Sequence, residues 1–358
     1  MKDGLDRQAI KRLASNISRA YAKFDAQAFV QDATQGLASR ELKERVQHII
    51  SVLAQHLPSD FARTTRIFLH TAQHWDRGDP NDPLRSFAAW PMIDYVSVYG
   101  LEQPETSLAA LRQLTSLFSA EFAIRPFLTT HQKLTLTHLK HWTADPDEHV
   151  RRLVSEGTRP KLPWAPRLPE FERDPKPVLS LLEKLRDDPS AYVRRSVANN
   201  LNDMTKDHPA VVIETCQRWL RKPGPERERR EWIVRRATRT LVKTGHPAVW
   251  ELLGYTPTPQ VQFNRFQLQQ QTIQLGEELI FSGTLQSTAD PSQAAQRLVV
   301  DYAIHHMKAN GATKPKVFKL KTLSLSPGET IEISKRHAFR NISTRQYYSG
   351  RHSVDVLV

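Results

Sequence analysis

Apolar residues in the first two thirds of the chain recur at the spacing of helices. Ile10, Leu13 and Ile17 repeat every three to four residues, and the stretch that ends at Pro58 does the same. A single apolar stripe at this spacing is typical of an amphipathic helix with one buried face. Proline ends such a helix because it has no amide proton to donate. The pattern therefore predicts helices over residues 1–257, the first of two domains.

Beyond residue 257 the apolar period falls to two, which is the period of strands. The linker Tyr255–Pro259 contains two prolines and no helix-start pattern, and turn residues cluster at Asn310-Gly311 and at 326–329. About seven short strands in a segment of this size are typical of an immunoglobulin-like β-sandwich. We therefore predict a mostly α protein, in which a HEAT-like helical-repeat solenoid is followed by a small all-β immunoglobulin-like domain at 258–358. The segments that alternate are 261–265, 279–283, 317–321, 331–333 and 354–358.

A short phrase recurs within the helical part. It reads DPDEHVRR at Asp145–Arg152, DPSAYVRR at Asp188–Arg195 and, without the Asp-Pro, IVRR at Ile233–Arg236. The valines of successive copies lie 43 and 41 residues apart, within the period of about 40–47 residues of two-helix HEAT repeats. Such repeats stack into a solenoid with an extended concave face. We expect each phrase to open the second helix of a pair, where its arginines would line that face.

The paired arginines predict a row of cations. One arginine of a pair often bonds the acidic residue of the preceding turn, so we expect about half of the six to contact a ligand. The aspartates before Pro146 and Pro189 are most simply caps at helix starts. A second basic stretch, 221–231, is either a binding surface or a solvated face with pairs such as Glu226–Arg230. The cations predicted to line the groove are Arg151, Arg152, Arg194, Arg195, Arg235, Arg236 and Arg239.

Charge and composition narrow the class of partner. Fifty-one Lys and Arg residues against thirty-eight Asp and Glu give a net charge of +13, which favours nucleic acid or an anionic membrane as a partner. No run of about 18 apolar residues and no apolar signal-peptide core is present, so we expect a soluble cytosolic protein. The single cysteine, Cys216, excludes an intrachain disulfide and a cysteine-rich zinc site. His138 and His141 have no third ligand at metal spacing, so neither a metal nor a cofactor is predicted.

Three places depart from the repeat pattern. Glu121 and Arg125 lie four apart among apolar residues, and a buried structural pair between them is an open alternative. Residues 156–167 interrupt the repeat with three prolines, and the cations Arg159 and Lys161 flank Trp164. Such a loop suits a nucleotide, although a solvent-shielding role is equally open. Three asparagines and Asp203 lie at the end of the helix that the second phrase opens, either as a simple helix end or as part of a site.

The same three places resemble a known family. Ala120–Phe127 (AEFAIRPF), Arg159–Trp164 (RPKLPW) and Val193–Asp203 (VRRSVANNLND) resemble the AlkC branch of the HEAT-like-repeat DNA alkylation repair glycosylases. The resemblance covers essentially the whole chain, including the β-sandwich that a subset of this branch carries. Trp90–Asp94 also imitates a local spacing of the sister AlkD branch. Because that match is ambiguous, no role is carried over from AlkD.

The resemblance implies a monofunctional DNA glycosylase that releases cationic N3-alkylated bases, 3-methyladenine and 3-methylcytosine, from duplex DNA without conventional base flipping. It implies that Asp203 acts on the oxocarbenium ion and the water, Glu121 serves as a second carboxylate and Trp164 faces the sugar; the two acids could exchange roles. Arg159, Lys161 and Asn199 join the expected DNA contacts. We expect a monomer with no obligate protein partner. The competing hypothesis is a noncatalytic HEAT scaffold that binds nucleic acid.

Overall fold

The computed structural model describes residues 2–342 and 345–358, so Met1 of the predicted helical domain and Ser343 and Thr344 of the predicted β domain lie outside the described residues. The chain divides into two compact units, 2–238 and 239–358. The first unit contains short 3-10 helices at Lys2–Leu5 and Arg85–Ala89 and the helices α1 Arg7–Ala20, α2 Ala26–Thr34, α3 Leu42–His56, α4 Phe61–Gln73, α5 Trp90–Tyr99, α6 Pro104–Leu114, α7 Ile124–Thr130, α8 Gln132–Trp142, α9 Glu148–Gly157, α10 Pro169–Arg173, α11 Lys176–Leu185, α12 Ala191–Met204, α13 Pro209–Arg221 and α14 Arg227–Ala237.

Three helices begin at or just after a proline that follows a polar residue, which is a typical helix start. Pro209 begins α13, Pro247 begins a later helix, and α11 begins one residue after Pro175. The caps of α9 and α12 are Asp147 and Ser190, whose side chains accept from backbone amides. The aspartates of the Asp-Pro phrase therefore stand two residues before the caps, where each closes a turn instead of capping a helix.

The repeats stack as helix pairs in two columns. Helices α3, α5 and α7 and then α9, α12 and α14 contact one another in succession, while α8, α11 and α13 pair with α9, α12 and α14. The Val-Arg-Arg phrases lie in the first half of α9 and α12, as predicted. The third copy lies at the end of α14 instead, since no Asp-Pro turn precedes it and the helix begins earlier, at Arg227. Gly157 ends α9 against Ile124, where a Cβ atom would come within 2.5 Å of the isoleucine Cγ2.

The second unit contains α15 Arg239–Lys243, α16 Pro247–Leu252 and six strands, β1 Val261–Leu268, β2 Glu278–Ser287, β3 Gln296–Met307, β4 Thr313–Leu325, β5 Thr330–Ala338 and β6 Ser353–Leu357. The strands form two antiparallel three-stranded sheets, ordered β1-β2-β5 and β4-β3-β6. Leu285, Leu298 and Ile333 form part of the core between the sheets. This two-sheet architecture agrees with the predicted sandwich.

The strand predictions hold for five of the six described strands. The alternating segments fall on β1, β2, β4, β5 and β6, while β3 was missed. It lies in the middle of its sheet, and its even-numbered residues, such as Val300 and Ile304, are buried in the alternation of a strand. On the other face, the apolar Val299 and the buried Ala303 hide that alternation in the sequence.

Candidate active site

A cleft of about 290 Å³ lies where the first unit's irregular segments meet. One side is aromatic, and the other carries two carboxylates, an arginine and the Pro-rich loop. The cleft therefore gathers two of the three residues predicted to be catalytic, Glu121 and Trp164. It is lined by Phe87, Trp90, Phe118, Glu121, Phe122, Glu156, Arg159, Leu162, Pro163 and Trp164.

Glu121 lies in a turn before α7, so it does not share a helix with Arg125. Its Oε2 accepts hydrogen bonds from Ser119 Oγ at 2.7 Å and from Arg152 Nη1 at 2.8 Å. Its other oxygen, Oε1, accepts no hydrogen bond from any residue that the structure describes. Arg125 instead donates to the backbone carbonyls of Gly157 and Arg159. The alternative of a Glu121–Arg125 pair is therefore not what the structure shows.

A charge chain, Glu121–Arg152–Glu156–Arg159–Asp203, connects the two predicted catalytic carboxylates. Arg152 Nη2 is 3.7 Å from Glu156 Oε1, which also accepts from Arg159 Nη1 at 2.6 Å. Arg159 then holds Asp203 through Nε and Nη2, at 2.8 and 3.2 Å from the two carboxylate oxygens. Such a bidentate pair fixes both partners in orientation as well as in distance. Asp203 thus reaches the cleft through Arg159.

Helix geometry places the middle of this chain. Arg152 and Glu156 are four residues apart on one face of α9, and Arg159 lies just beyond the end of the helix, where it binds Glu156. Helix α12 packs against α9 and brings Asp203 and Ser196 to the same face, where Ser196 Oγ donates to Glu156 Oε2 at 2.5 Å. The repeat fold therefore aligns the charges of one helix with an acid of the next.

The Pro-rich segment between α9 and α10 is held in place by a side chain that donates hydrogen bonds to its backbone carbonyls. Arg125 donates to the carbonyl of Pro166 as well as to those of Gly157 and Arg159. Burial and the neighbouring charge of Arg159 lower the pKa of Arg125 to about 10, so it remains a cation at neutral pH. Trp164 lines the cleft with a φ of 65°, and the residue is 55% exposed. The loop therefore presents its tryptophan to solvent instead of burying it.

The opposite side of the cleft is an aromatic wall. The Trp90 indole stacks on Phe118 and Phe122, with ring centroids 5.1 and 5.5 Å apart. Trp90 Nε1 donates to Asp94 Oδ2 at 2.7 Å, while Asp94 Oδ1 is buried without a hydrogen-bond partner in the described chain. Burial raises the pKa of Asp94 to about 7. The spacing noticed in the sequence is thus a buried contact that fixes one ring of the wall.

The first arginine of each of the two Asp-Pro phrases has structural partners. Arg151 binds both oxygens of Asp188, at 2.6 and 3.1 Å, in the turn of the next repeat. It also donates to carbonyls in its own Asp-Pro turn, and Arg194 makes the same carbonyl contacts one repeat later. Asp188 Oδ1 closes its turn by accepting from the amide of Ser190. These bonds join one repeat to the next.

Two similar contacts occur elsewhere. Arg112 binds Asp145 Oδ2 at 2.6 Å, and the buried Arg230 binds both oxygens of Asp187 at 2.5 and 3.0 Å. The predicted Glu226–Arg230 surface pair is therefore replaced by an interior one. We refer to Arg112–Asp145, Arg151–Asp188 and Arg230–Asp187 as the inter-repeat pairs.

The remaining predicted DNA contacts differ in exposure. Arg195 is exposed and has no ion pair or hydrogen bond within the described residues, and Arg235 is exposed with Glu231 3.8 Å away. Lys161 binds Asp207 at 2.5 Å. The contact of each of these residues with DNA stays a prediction. Of the other three, Arg236 lies over the Trp232 ring, while Asn199 and Arg239 are partly buried.

Several site residues were missed from the sequence. Glu156 could have been found, because it stands four residues after Arg152 on one face of α9 and three residues before Arg159. The four-residue spacing of Phe118 and Phe122 does not distinguish the wall of a cleft from a core face. Ser119 carries no pattern that separates it from other surface serines. Contacts between distant segments, and not local spacing, make these residues part of the site.

Among the residues described, no group of three or more His, Cys, Asp or Glu side chains could hold a metal ion. Nor does any helix in residues 2–342 and 345–358 have the length and apolarity needed to cross a membrane.

Fold and site together define a helical-repeat protein with an ion-paired carboxylate cleft and an appended β-sandwich. Residues 262–358 match the model of the C-terminal Ig-like domain of the uncharacterised protein YhaZ. Over its whole length the chain is 33% identical to the uncharacterized protein YhaZ of Bacillus subtilis, covering 96% of that protein. A Pseudomonas fluorescens alkylpurine DNA glycosylase, AlkC, solved bound to DNA containing an abasic site analog, is 38% identical, with a TM-score of 0.90 over 99% of this chain and 95% of that one.

The chain therefore belongs to the AlkC branch of the HEAT-like-repeat DNA alkylation repair glycosylases, in the subset with a YhaZ-type Ig-like domain. The resemblance drawn from the three sequence phrases is confirmed. Homology with a DNA glycosylase points to glycosylase activity, and the specific lesion is a separate question.

Proposed function

We propose that this protein is a monofunctional DNA glycosylase that hydrolyses the N-glycosidic bond of cationic N3-alkylated bases, 3-methyladenine and 3-methylcytosine, in duplex DNA. The observation that carries the proposal is the cleft itself. Glu121 and the exposed Trp164 line it together, and a continuous charge chain joins Glu121 to Asp203.

The chemistry needs few groups. An N3-alkylated base is a cation, so the bond from C1′ to the base breaks with its electron pair going to the base, which leaves as a neutral molecule without a general acid. Positive charge then develops on the deoxyribose. A carboxylate stabilises that charge and takes a proton from the water whose oxygen bonds to C1′, and the proton then passes to solvent. Neutral lesions, which lack this driving force, would be poor substrates.

Glu121 is the better placed of the two acids to meet the sugar and the water. Both hydrogen bonds to its carboxylate fall on Oε2, and Oε1 accepts none from the described residues. Asp203, in contrast, has each oxygen bound by Arg159 and does not line the cleft. Of the two assignments left open by the sequence, these contacts favour Glu121 as the group that touches water and Asp203 as a carboxylate acting through Arg159.

Trp164 supplies an aromatic face where Glu121 supplies a carboxylate. Its indole is exposed beside the acidic side of the cleft, and the face of an indole attracts a cation through its quadrupole. We assign it to the face of the sugar or the lesion. The exposed arginines Arg195 and Arg235 are proposed to hold phosphates, which would position the duplex without reading its sequence. Capture from the backbone side would require no extruded base.

Release of free base from duplex DNA containing 3-methyladenine tests the proposal. We expect wild-type protein to release 3-methyladenine under single-turnover conditions. Glu121→Gln should lower that rate about 100-fold, the scale of one proton-transferring group, and Asp203→Asn should lower it by a smaller factor. The duplex with unmodified adenine at the same position is the substrate control.

Two matched variants guard against an indirect effect. Asp207 lies just beyond α12, the helix that carries Asp203, and its carboxylate binds Lys161. Asp207→Asn removes this acid, and Glu105→Gln removes an acid that binds His138. Neither lines the cleft, so both should keep the wild-type rate. A wild-type protein that binds the duplex and releases no base would instead support the noncatalytic scaffold.

A further inference from the structure

The backbone of Trp164 is in an unfavourable conformation. Its φ of 65° lies in the left-handed region, which non-glycine residues avoid at about 1–2 kcal/mol per residue. Residues in such conformations persist where the surrounding structure holds them, often at functional sites. Because more than half of the residue is exposed, burial of the side chain does not account for the conformation. The conformation is therefore maintained by contacts to the backbone of the loop.

Lys43 makes the contact to Trp164 itself. Its Nζ donates to the backbone carbonyl of Trp164, 121 residues away in the chain. The same Nζ lies 5.6 Å from the ring centroid of Phe122, on the aromatic wall of the cleft. The ammonium group of Lys43 thus contacts both the aromatic wall and the loop that carries Trp164. Arg125 holds the carbonyls before and after Trp164, and Lys43 holds the residue between them.

Neither helix stability nor ion pairing explains this lysine. Lys43 stands in the first turn of α3, where the helix dipole disfavours a cation. It makes no salt bridge with any residue in the described part of the chain, although Glu41 and Glu44 are close in sequence. Its charge does reach into the site, where it counteracts the burial that raises the pKa of Asp94.

We infer that Lys43 is a positioning residue, which fixes the Trp164 backbone so that the indole stands at the cleft. This inference rests on the proposed function and deepens it, since it adds a residue from the N-terminal helices to the machinery of the same site. A lysine suits the task because an ammonium group donates to a neutral carbonyl and to a ring face together. The aliphatic stem spans the distance from α3 to the loop.

A double-mutant cycle separates positioning from direct contact with DNA. Single-turnover release of 3-methyladenine is compared for wild type, Lys43→Met, Trp164→Ala and the double variant. Met keeps the apolar stem against Phe122 and removes the donor. We expect Lys43→Met to slow release about tenfold in the wild-type background, a loss in the range caused by small misplacement of a reacting partner. In the Trp164→Ala background it should change the rate by less than about twofold.

Lys140→Met is the matched control, because Lys140 is an exposed lysine on α8 that does not line the cleft. It should leave the rate unchanged, and Lys43→Arg, which restores a donor, should recover most of it. The inference is overturned if Lys43→Met slows release equally in both backgrounds. Such additivity, together with weaker DNA binding and a smaller salt dependence, would mean that Lys43 contacts a phosphate directly.

Hydrogen exchange of the DNA-free protein tests whether Lys43 tethers the Trp164 loop, and it does not depend on activity. The amides of Ala165 and Leu168 donate to the carbonyls of Leu162 and Pro160 within the loop. In Lys43→Met, peptides covering 158–168 should exchange faster while those covering α12 stay unchanged. Unchanged exchange in the loop would overturn the tether. An inactive wild type would end the proposed function, and the exchange result would still decide whether Lys43 holds the loop.

Discussion

The inter-repeat pairs and the charge chain use the same chemistry for different ends. In the Arg151–Asp188 pair the arginine binds one acid and the carbonyls of its own turn, so both oxygens of Asp188 are bonded within the pair. In the charge chain each arginine lies between two acids, and the chain ends at the cleft in a carboxylate, one oxygen of which accepts no hydrogen bond from the described residues. The first arrangement satisfies its members. The second leaves bonding capacity at one end, where a substrate can use it.

This difference follows from position in the phrase. The first arginine of Val-Arg-Arg in α9 points to the next repeat's turn, and the second, Arg152, points to the segment before α7. Adjacent residues on a helix are turned about 100° apart, so one phrase can serve both purposes. A repeated motif thus has one structural member and one that the surrounding irregular segments recruit.

Breaking the middle of the charge chain should have the largest effect on stability. Arg159→Gln removes the partner of both Glu156 and Asp203 in a buried setting and should destabilise the helical unit by about 3–5 kcal/mol. Urea unfolding measures the change. Lys161→Gln is the control, because its partner Asp207 is partly exposed, and should lose less than about 1 kcal/mol. Equal losses in the two variants would contradict the distinction.

Breaking an inter-repeat pair should cost stability and spare DNA binding. Asp188→Asn keeps the oxygen that accepts from Ser190 and replaces the one that Arg151 Nε binds with an amide. We expect a loss of about 2 kcal/mol in urea unfolding, the scale of hydrogen bonds to a charged group, and an unchanged affinity for undamaged duplex. A large drop in affinity for the folded variant would show that Arg151 serves DNA as well.

Asp94 sharpens the comparison, because it is a buried acid without an arginine partner in the part of the chain that the structure describes. Its folded pKa of about 7 lies above its ordinary value of 3.8. As pH rises between these values, the unfolded chain ionises while the folded one stays protonated, so stability falls until about pH 7 and then levels off. Asp94→Asn should therefore stabilise the protein by about 2–3 kcal/mol more at pH 8.5 than at pH 5.

Thermal unfolding of wild type and Asp94→Asn at the two pH values measures that difference. Asp79→Asn, at an exposed acid, controls for general charge effects. A benefit that is the same at pH 5 and pH 8.5 would mean that the ionisation of Asp94 does not oppose folding.

The smallest effect on stability is expected at Arg195. This arginine is exposed and unpaired among the described residues, so Arg195→Ala should change the unfolding free energy by less than about 0.5 kcal/mol. If it holds a phosphate, the salt dependence of DNA binding should fall by about one unit of slope. An unaltered salt slope would remove Arg195 from the predicted contacts.

The fold followed from the sequence where the pattern is local. The Val-Arg-Arg spacing set the helix pairs of α9 and α12, and the alternation of residues marked five strands. Strand β3 was not recognised because the apolar Val299 and Ala303 lie between its alternating buried residues. The boundary between the two compact units lies between residues 238 and 239. The sequence pattern instead changes from helix to strand near Pro257, because α15 and α16 continue the helical pattern into the second unit.

The site was predicted less completely. Glu121, Trp164 and Asp203 were singled out through the family resemblance, and Arg159 through its charge. Nothing in the spacing of residues 121 and 203 indicates that Arg152, Glu156 and Arg159 connect them, because that connection depends on how α9 packs against α12. The Lys43–Trp164 contact is still more remote, since no sequence pattern relates two residues 121 positions apart.

The inter-repeat pairs bear on how the solenoid comes apart. In a stack of repeats, each unit touches only its neighbours, and the stability of the whole depends on the strength of those junctions. Arg112–Asp145, Arg151–Asp188 and Arg230–Asp187 each bridge one junction with a charged hydrogen bond. The helices that carry the charge chain should therefore melt as one cooperative block, so the site is lost all at once instead of fraying from either end.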